Sequence, residues 1–153
     1  NFSFLARTAA STDIVLGDAR LQLEREPAQQ FDVLVVDAFS GDSVPIHLLT
    51  YEAFAQYFRH LKPNGVLAVH ITNRFLDLQP VVKTAADHFA KDVKMVHADG
   101  IPEKLVLRSN WALISSDPEF FKHPALNSAV RIRAQPSFRP WKDDYSSIVS
   151  VMQ

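Results

Sequence analysis

Two aspartates stand close together in the stretch "VVDAFSGDSVPIH" (residues 35–47). Asp37 ends an apolar run, Asp42 follows a Ser-Gly pair, and Pro45 closes the segment. A carboxylate at the end of a buried strand is costly unless it is hydrogen-bonded or put to use. The structural alternative is a turn acid that bonds nearby backbone amides. Across a glycine turn the two carboxylates are able to face one pocket. There they would bind a cationic substrate, or one of them would accept a proton from it.

Other polar residues offer weaker chemistry. Asp18 is a helix N-cap, which needs only an oxygen acceptor, or it accepts a hydrogen bond from a ligand's exocyclic amine; the two roles are compatible. The six histidines, His47, His60, His70, His88, His97 and His123, are scattered without zinc-helix spacing. Asp37, Asp42 and His47 form at best a distant candidate set for a hard or borderline metal, and no metal site is expected. His70, at the end of an apolar run, reads first as a satisfied core or rim histidine. Near the end, "PWKDDYSSI" (residues 140–148) places Trp141 and Tyr145 around Asp143 and Asp144. It is either an exposed acidic turn before a last strand or a flap that brings aromatic and acidic groups to a cation. There is no nucleophile elbow and no phosphate-binding P-loop.

These residues need elements to position them. "DIVLG" (13–17) reads as a strand, and "DARLQLERE" (18–26) as a short helix behind Asp18. "FDVLVVDAF" (31–39) lacks polar alternation from Val33 to Val36, the mark of a strand covered on both faces. In "TYEAFAQYFRHLKPNG" (50–65), Phe54, Phe58 and Leu61 recur at helical spacing, and Pro63-Asn64-Gly65 stops the helix. "VLAVHIT" (66–72) is a strand. "LQPVVKTAADHFA" (78–90) puts Val81, Val82, Ala85 and Phe89 on one helical face. "VKMVHA" (93–98), "WALISS" (111–116) and a final "SIVSVM" read as strands, and "DPEFFKH" (117–123) as a short helix.

This alternation predicts an α/β fold: a Rossmann-like, mostly parallel sheet with helices on both faces. Ligands of such sheets bind at the carboxyl ends of the strands. Asp18, Asp37 and the residues from His70 to Asn73 all fall at strand ends, so the pattern puts them on one rim.

Composition limits what that rim serves. The 153 residues are one domain's worth of chain, and 47% hydrophobic residues are enough for a core. A net charge of −1 argues against a dedicated nucleic-acid binder. No cysteine is present, so disulfides and thiolate metal sites are excluded; this fits a reducing compartment, and a cytoplasmic location is expected. No apolar run approaches the roughly 20 residues that span a bilayer.

Taken together, "VLGDARLQLERE", "FDVLVVDAFSGDSVPIHLLTYEAFAQYFRHLKPNGVLAVHITN" and "PWKDDYSS" resemble the spermidine synthase-like family. These are polyamine aminopropyltransferases and relatives within the class I S-adenosylmethionine-dependent methyltransferase superfold. The resemblance runs from about Ile14 to Ser147 and is strongest from Gly17 to Asn73. It implies a methyltransferase-type fold and aminopropyl transfer from decarboxylated S-adenosylmethionine to a diamine such as putrescine. Asp18 resembles the acid that bonds the adenine amino group, with Ala19 beside it offering its backbone. Asp37 resembles the strand-end acid that orients and deprotonates the attacking amine. Asp42 resembles the second acid of the family's Asp-Ser/Thr-x-Asp-Pro segment, which grips the diamine, although here "AFSG" separates the acids and proline does not follow directly. Asp144 and Tyr145 are expected to contribute substrate contacts.

The superfold's first strand carries a Gly-rich loop and its second ends in an acid for the ribose. Neither is found in these residues. The chain is therefore expected to be a single domain over 1–153 that corresponds to the C-terminal part of the family's domain. Its partners are expected to be a nucleoside, a polyamine and a second copy of itself, with no nucleic acid and with a membrane-spanning segment conceivable elsewhere in a longer protein. The rival readings are a methyltransferase of another acceptor and a non-catalytic oligomerisation or regulatory domain. A metal hydrolase built on Asp37, Asp42 and His47 is a distant fourth.

Overall fold

Ala19–Arg25 forms helix α1, Phe31–Val36 strand β1 and Tyr51–His60 helix α2. They are followed by strand β2 at Leu61–His70, helix α3 at Gln79–His88, and strands β3, β4 and β5 at Asp92–Ala98, Ser109–Ser115 and Val130–Arg131. This computed structural model describes residue 3 and residues 7–37 and 45–153. Local signals account for the helix starts. The Asp18 side chain accepts the Leu21 amide, and Thr50 accepts that of Ala53. Pro80 sits in the first turn of α3, where its missing donor costs nothing.

The five strands lie in the order β1-β2-β4-β3-β5. Only β1 and β2 run parallel; β4 is antiparallel to both β2 and β3, and β5 is antiparallel to β3. The α/β Rossmann-like class holds, and the sheet is mixed rather than mostly parallel. β4 inserts as a hairpin-like return between β2 and β3, which a simple count of alternating elements does not reveal. The parallel register sets Val33 opposite Val66 and Val36 opposite Val69. It jumps between Phe31 and Val33, where "KPNG" loops out of β2. Gly65 is needed there, since a Cβ on it would meet Phe31 O at 3.0 Å and Lys62 O at 3.1 Å.

Strand alternation sorts the sheet's two faces. Leu67, Val69, Val93, Ala112 and Ile114 point to one face and join the main core with Ala53, Phe54 and Tyr57 of α2 and Val81, Val82 and Ala85 of α3. Leu34 and Val36 of β1 pack against the same core. Both larger helices thus cover one face, and α1 packs on α2. The opposite face carries Val33 and Val35, at 56% and 55% exposure. The helix layer expected on this second face is not found among the described residues.

Three shorter segments differ from their sequence pattern. Residues 13–17 are not a strand: Ile14, Val15 and Leu16 find no ladder partner among the described residues and stand 62%, 53% and 85% exposed. The segment expected as a helix at 117–123 holds one 3₁₀ turn, Phe120–Lys122, and a second, Pro124–Leu126, follows it; Pro124 keeps His123 extended, so the two do not join. The last strand is instead a 3₁₀ turn at Val149–Val151, tied to residues 75–77 by Asp77 N–Val151 O at 2.7 Å and Gln153 N–Phe75 O at 3.0 Å. No helix among the described residues is long and apolar enough to cross a membrane.

Candidate functional site at the carboxyl ends of β1 and β2

The parallel register brings the carboxyl ends of β1 and β2 side by side. Asp37 follows β1, and His70 ends β2. His70 Nδ1 lies 2.7 Å from Asp37 Oδ1. The other ring nitrogen, Nε2, lies 2.6 Å from Thr72 Oγ1, which also accepts the Asn110 amide at 2.8 Å. The imidazole stacks on Trp111 of β4, with ring centroids 4.7 Å apart and planes 20° apart. The Asp37 side chain remains 55% exposed, so this acid is hydrogen-bonded and still open to solvent.

Asp37 lines a cavity of about 400 Å³ together with Gly17, Ala19, Val36, Leu48 and Tyr57. That size lies within the usual range for small-molecule sites. Two residues expected at the site, Ala19 and Asp37, therefore share one cavity. Gly17 holds φ at +137°, a conformation open to glycine, and a Cβ there would strike the Gln22 side chain at 2.6 Å. The Gly-Asp pair thus turns the chain sharply into α1.

Asp18 is occupied on both oxygens. Oδ1 accepts the Leu21 amide at 3.0 Å, and Oδ2 lies 3.0 Å from His47 Nε2. The Leu21 amide holds the Asp18 carboxyl below its ordinary range; burial opposes it, and the His47 side chain adds to the lowering. His47 turns to Asp18 and makes no hydrogen bond or ion pair with Asp37, so the metal set of Asp37, Asp42 and His47 is not assembled by His47. Asp42 lies outside the described residues.

Beside Asp18 a second polar cluster fastens the C-terminal segment. Arg20 forks onto Asp143, with Nη1–Oδ1 at 2.7 Å and Nη2–Oδ2 at 2.5 Å. Its Nη1 also donates to His47 O at 2.9 Å and Thr50 Oγ1 at 3.2 Å, and its Nε to Glu24 at 2.8 Å. Thr50 Oγ1 donates to Asp143 at 2.8 Å, the Asp143 amide donates to Glu52, and Tyr51 N bonds Trp141 O at 3.0 Å. Trp141 is buried against the core. The segment "PWKDDYSS" is therefore docked on the N-terminal turn of α2. Asp144 is exposed, and the Tyr145 ring lies under the Arg139 guanidinium, 3.5 Å from centroid to carbon. Neither forms a hydrogen bond or ion pair with Asp37 among the described residues.

The Arg20 guanidinium holds the Asp143 carboxyl below its usual range, and Asp143 in turn pushes Arg20 further up. A depressed acid stabilises the fold above its unfolded value, about 3.9, and that contribution is lost as pH falls through the lower folded value. The expected result is a melting temperature that falls more steeply below about pH 4 in the wild type than in Asp143→Asn. Melts between about pH 2 and 6 check this; parallel curves would show that the Arg20–Asp143 pair adds nothing to the fold.

Sequence reasoning missed His70 as the partner of Asp37, and it missed Arg20, Thr50 and Asp143 as a cluster. His70 had a usable signal, since neighbouring parallel strands end beside each other. Arg20 and Asp143 are 123 residues apart, and nothing local links them.

No protein-family model matches the chain. A polyamine aminopropyltransferase of Vibrio vulnificus (strain CMCP6) is 32% identical over 69 residues, which make up 44% of this chain and 23% of that one. The crystal structure of MNMC2 from Aquifex aeolicus matches 87% of this chain and 44% of its own, with a TM-score of 0.51 at 17% identity. A probable spermidine synthase from Corynebacterium glutamicum ATCC 13032 matches 82% of this chain and 55% of its own, with a TM-score of 0.47 at 18% identity. The chain thus spans little more than half the length of these proteins at most. It has an α/β Rossmann-like fold shared with the Aquifex protein, and over the 69 matched residues its sequence resembles a polyamine aminopropyltransferase.

Proposed function

We propose that this chain carries the amine-activating part of a transferase site, and that the group transferred is aminopropyl, from a decarboxylated S-adenosylmethionine donor to a diamine. The observation that carries this reading is the Asp37 carboxylate, more than half exposed at the end of a parallel strand, in one cavity with Gly17 and Ala19. The sequence match to a polyamine aminopropyltransferase supports it.

A primary amine such as that of putrescine is mostly protonated at neutral pH, with a pKa of about 10 by analogy with lysine. Asp37 accepts one of its protons and orients the freed lone pair. The nitrogen attacks the methylene carbon beside the sulfonium, and the N–C bond forms as the C–S bond breaks. The pair from the broken bond stays on sulfur, methylthioadenosine leaves neutral, and the secondary amine leaves protonated. Asp42 is assigned the diamine's second charge, with Asp144 and Tyr145 at its far end. Asp18 and Ala19 are assigned the adenine edge. Each carboxylate oxygen has two lone pairs, so Asp18 retains acceptor capacity beside Leu21 and His47.

Calorimetric titration of the protein with decarboxylated S-adenosylmethionine, S-adenosylmethionine and methylthioadenosine tests the reading. Tighter binding of the decarboxylated form than of S-adenosylmethionine, by about tenfold or more, is expected, which is about 1.4 kcal/mol. The reverse preference replaces aminopropyl by methyl transfer. Silence from all three in a folded protein assigns the chain to a non-catalytic domain.

A further inference from the structure

We infer that His70 is the positioning residue of Asp37 and that the two work as one acid–base unit. The inference rests on the transferase reading for its kinetic consequence but not for its geometry. Asp37 and His70 end neighbouring parallel strands and meet at 2.7 Å, and the pair sits on a fixed frame. The Asp37 carboxylate only accepts, so with one proton on the ring that proton sits on Nδ1, 2.7 Å from Oδ1; Thr72 Oγ1, which accepts the Asn110 amide at 2.8 Å, then donates its own proton to Nε2, 2.6 Å away. Nε2 is then an acceptor, and Nδ1 carries the imidazole proton and donates it to Asp37 Oδ1. Trp111 stacked against the ring fixes its plane. This chain of bonds runs from the Asn110 backbone through Thr72 and His70 to the carboxylate.

The consequence is a pre-set carboxylate. With Oδ1 held by the imidazole, the second oxygen of Asp37 is left to meet an incoming ammonium. The carboxylate does not have to reorganise at the moment it takes the proton. Asp37 bonds His70 as a charged group, whereas Thr72 and Trp111, which meet the ring, and Asn110, which bonds Thr72, are neutral. A histidine that merely filled space at the rim would need neither the directed pair of bonds nor the tautomer they select.

Two readouts test this. In ¹⁵N-histidine spectra of the wild type, His70 is expected as the Nδ1–H tautomer, shifting towards Nε2–H in Asp37→Ala. In turnover of decarboxylated S-adenosylmethionine with putrescine, His70→Ala is expected to lower kcat about tenfold with KM for the donor unchanged. His70→Asn, whose side-chain amide nitrogen replaces the Nδ1 donor, is expected to recover most of that loss. An Nε2–H tautomer in the wild type, or His70→Asn as slow as His70→Ala with both folded, overturns the inference. A protein that turns over neither substrate overturns the transferase reading instead, and the tautomer still decides the pairing.

Discussion

Asp37→Asn is expected to lower aminopropyl transfer by about 10²- to 10⁴-fold, the range typical for loss of a positioned general base. The substitution keeps the side chain's shape and its ability to accept the His70 Nδ1 proton, and removes the charge and the basic oxygen. Donor binding measured by calorimetry should change little, because the amide fills the same part of the cavity as the carboxylate. The split matters: an interaction made only as the amine loses its proton appears in kcat and leaves ground-state binding alone. Steady-state kinetics of the purified variant give the answer. Turnover within a factor of two of the wild type would remove Asp37 from the chemistry and leave it as a turn acid.

The second large effect is on stability. Phe54 is fully buried in the middle of α2, where its ring meets Tyr57 edge-on at 5.8 Å and lies 6.2 Å from Phe58. Phe54→Ala is expected to cost about 3–5 kcal/mol, since it removes the ring's transfer energy and leaves a cavity that the helix and sheet only partly close. For a chain of this size the melting temperature should fall by about 10 °C. Because α2 begins at Thr50, which joins the Arg20–Asp143 cluster, the same variant should loosen the C-terminal segment. Urea unfolding checks the magnitude. A loss below about 1 kcal/mol would mean that α2 does not pack on the sheet through this residue.

Much of this architecture was legible in the sequence because its causes are local. Asp18 as a cap, Thr50 before an amphipathic stretch and Val33–Val36 as a buried-type run each specify their element within a few residues. Those elements suffice for the α/β class and for placing Asp37 at a strand end. The order of the strands was not legible. Whether β4 lies outside β3 or between β2 and β3 depends on which edges meet in three dimensions, and "WALISS" has the same apolar pattern in either place. The site divides along the same line. Ala19 and Asp37 reach one cavity because each follows from a neighbouring element, whereas the Arg20 fork on Asp143 joins segments that share no local pattern. His70 lay between these cases: its position was correctly read, but its partner follows only from the parallel register of Val36 with Val69.

β1 stands at the border of the sheet among the described strands, with Val33 and Val35 bare on one side. Along its outer margin, alternate amides and carbonyls have no ladder partner among the described residues. The six residues "FDVLVV" include no proline and a single charge, and that charge is already taken up by Lys62 at 2.6 Å. Native sheets usually guard such a margin with lysines, prolines or a bulge that twists it away. Short, β-rich segments of low net charge are also the ones that template intermolecular stacking. The expected consequence is a lifetime in solution that shortens as the concentration rises, which dilution relieves and added core stability alone does not.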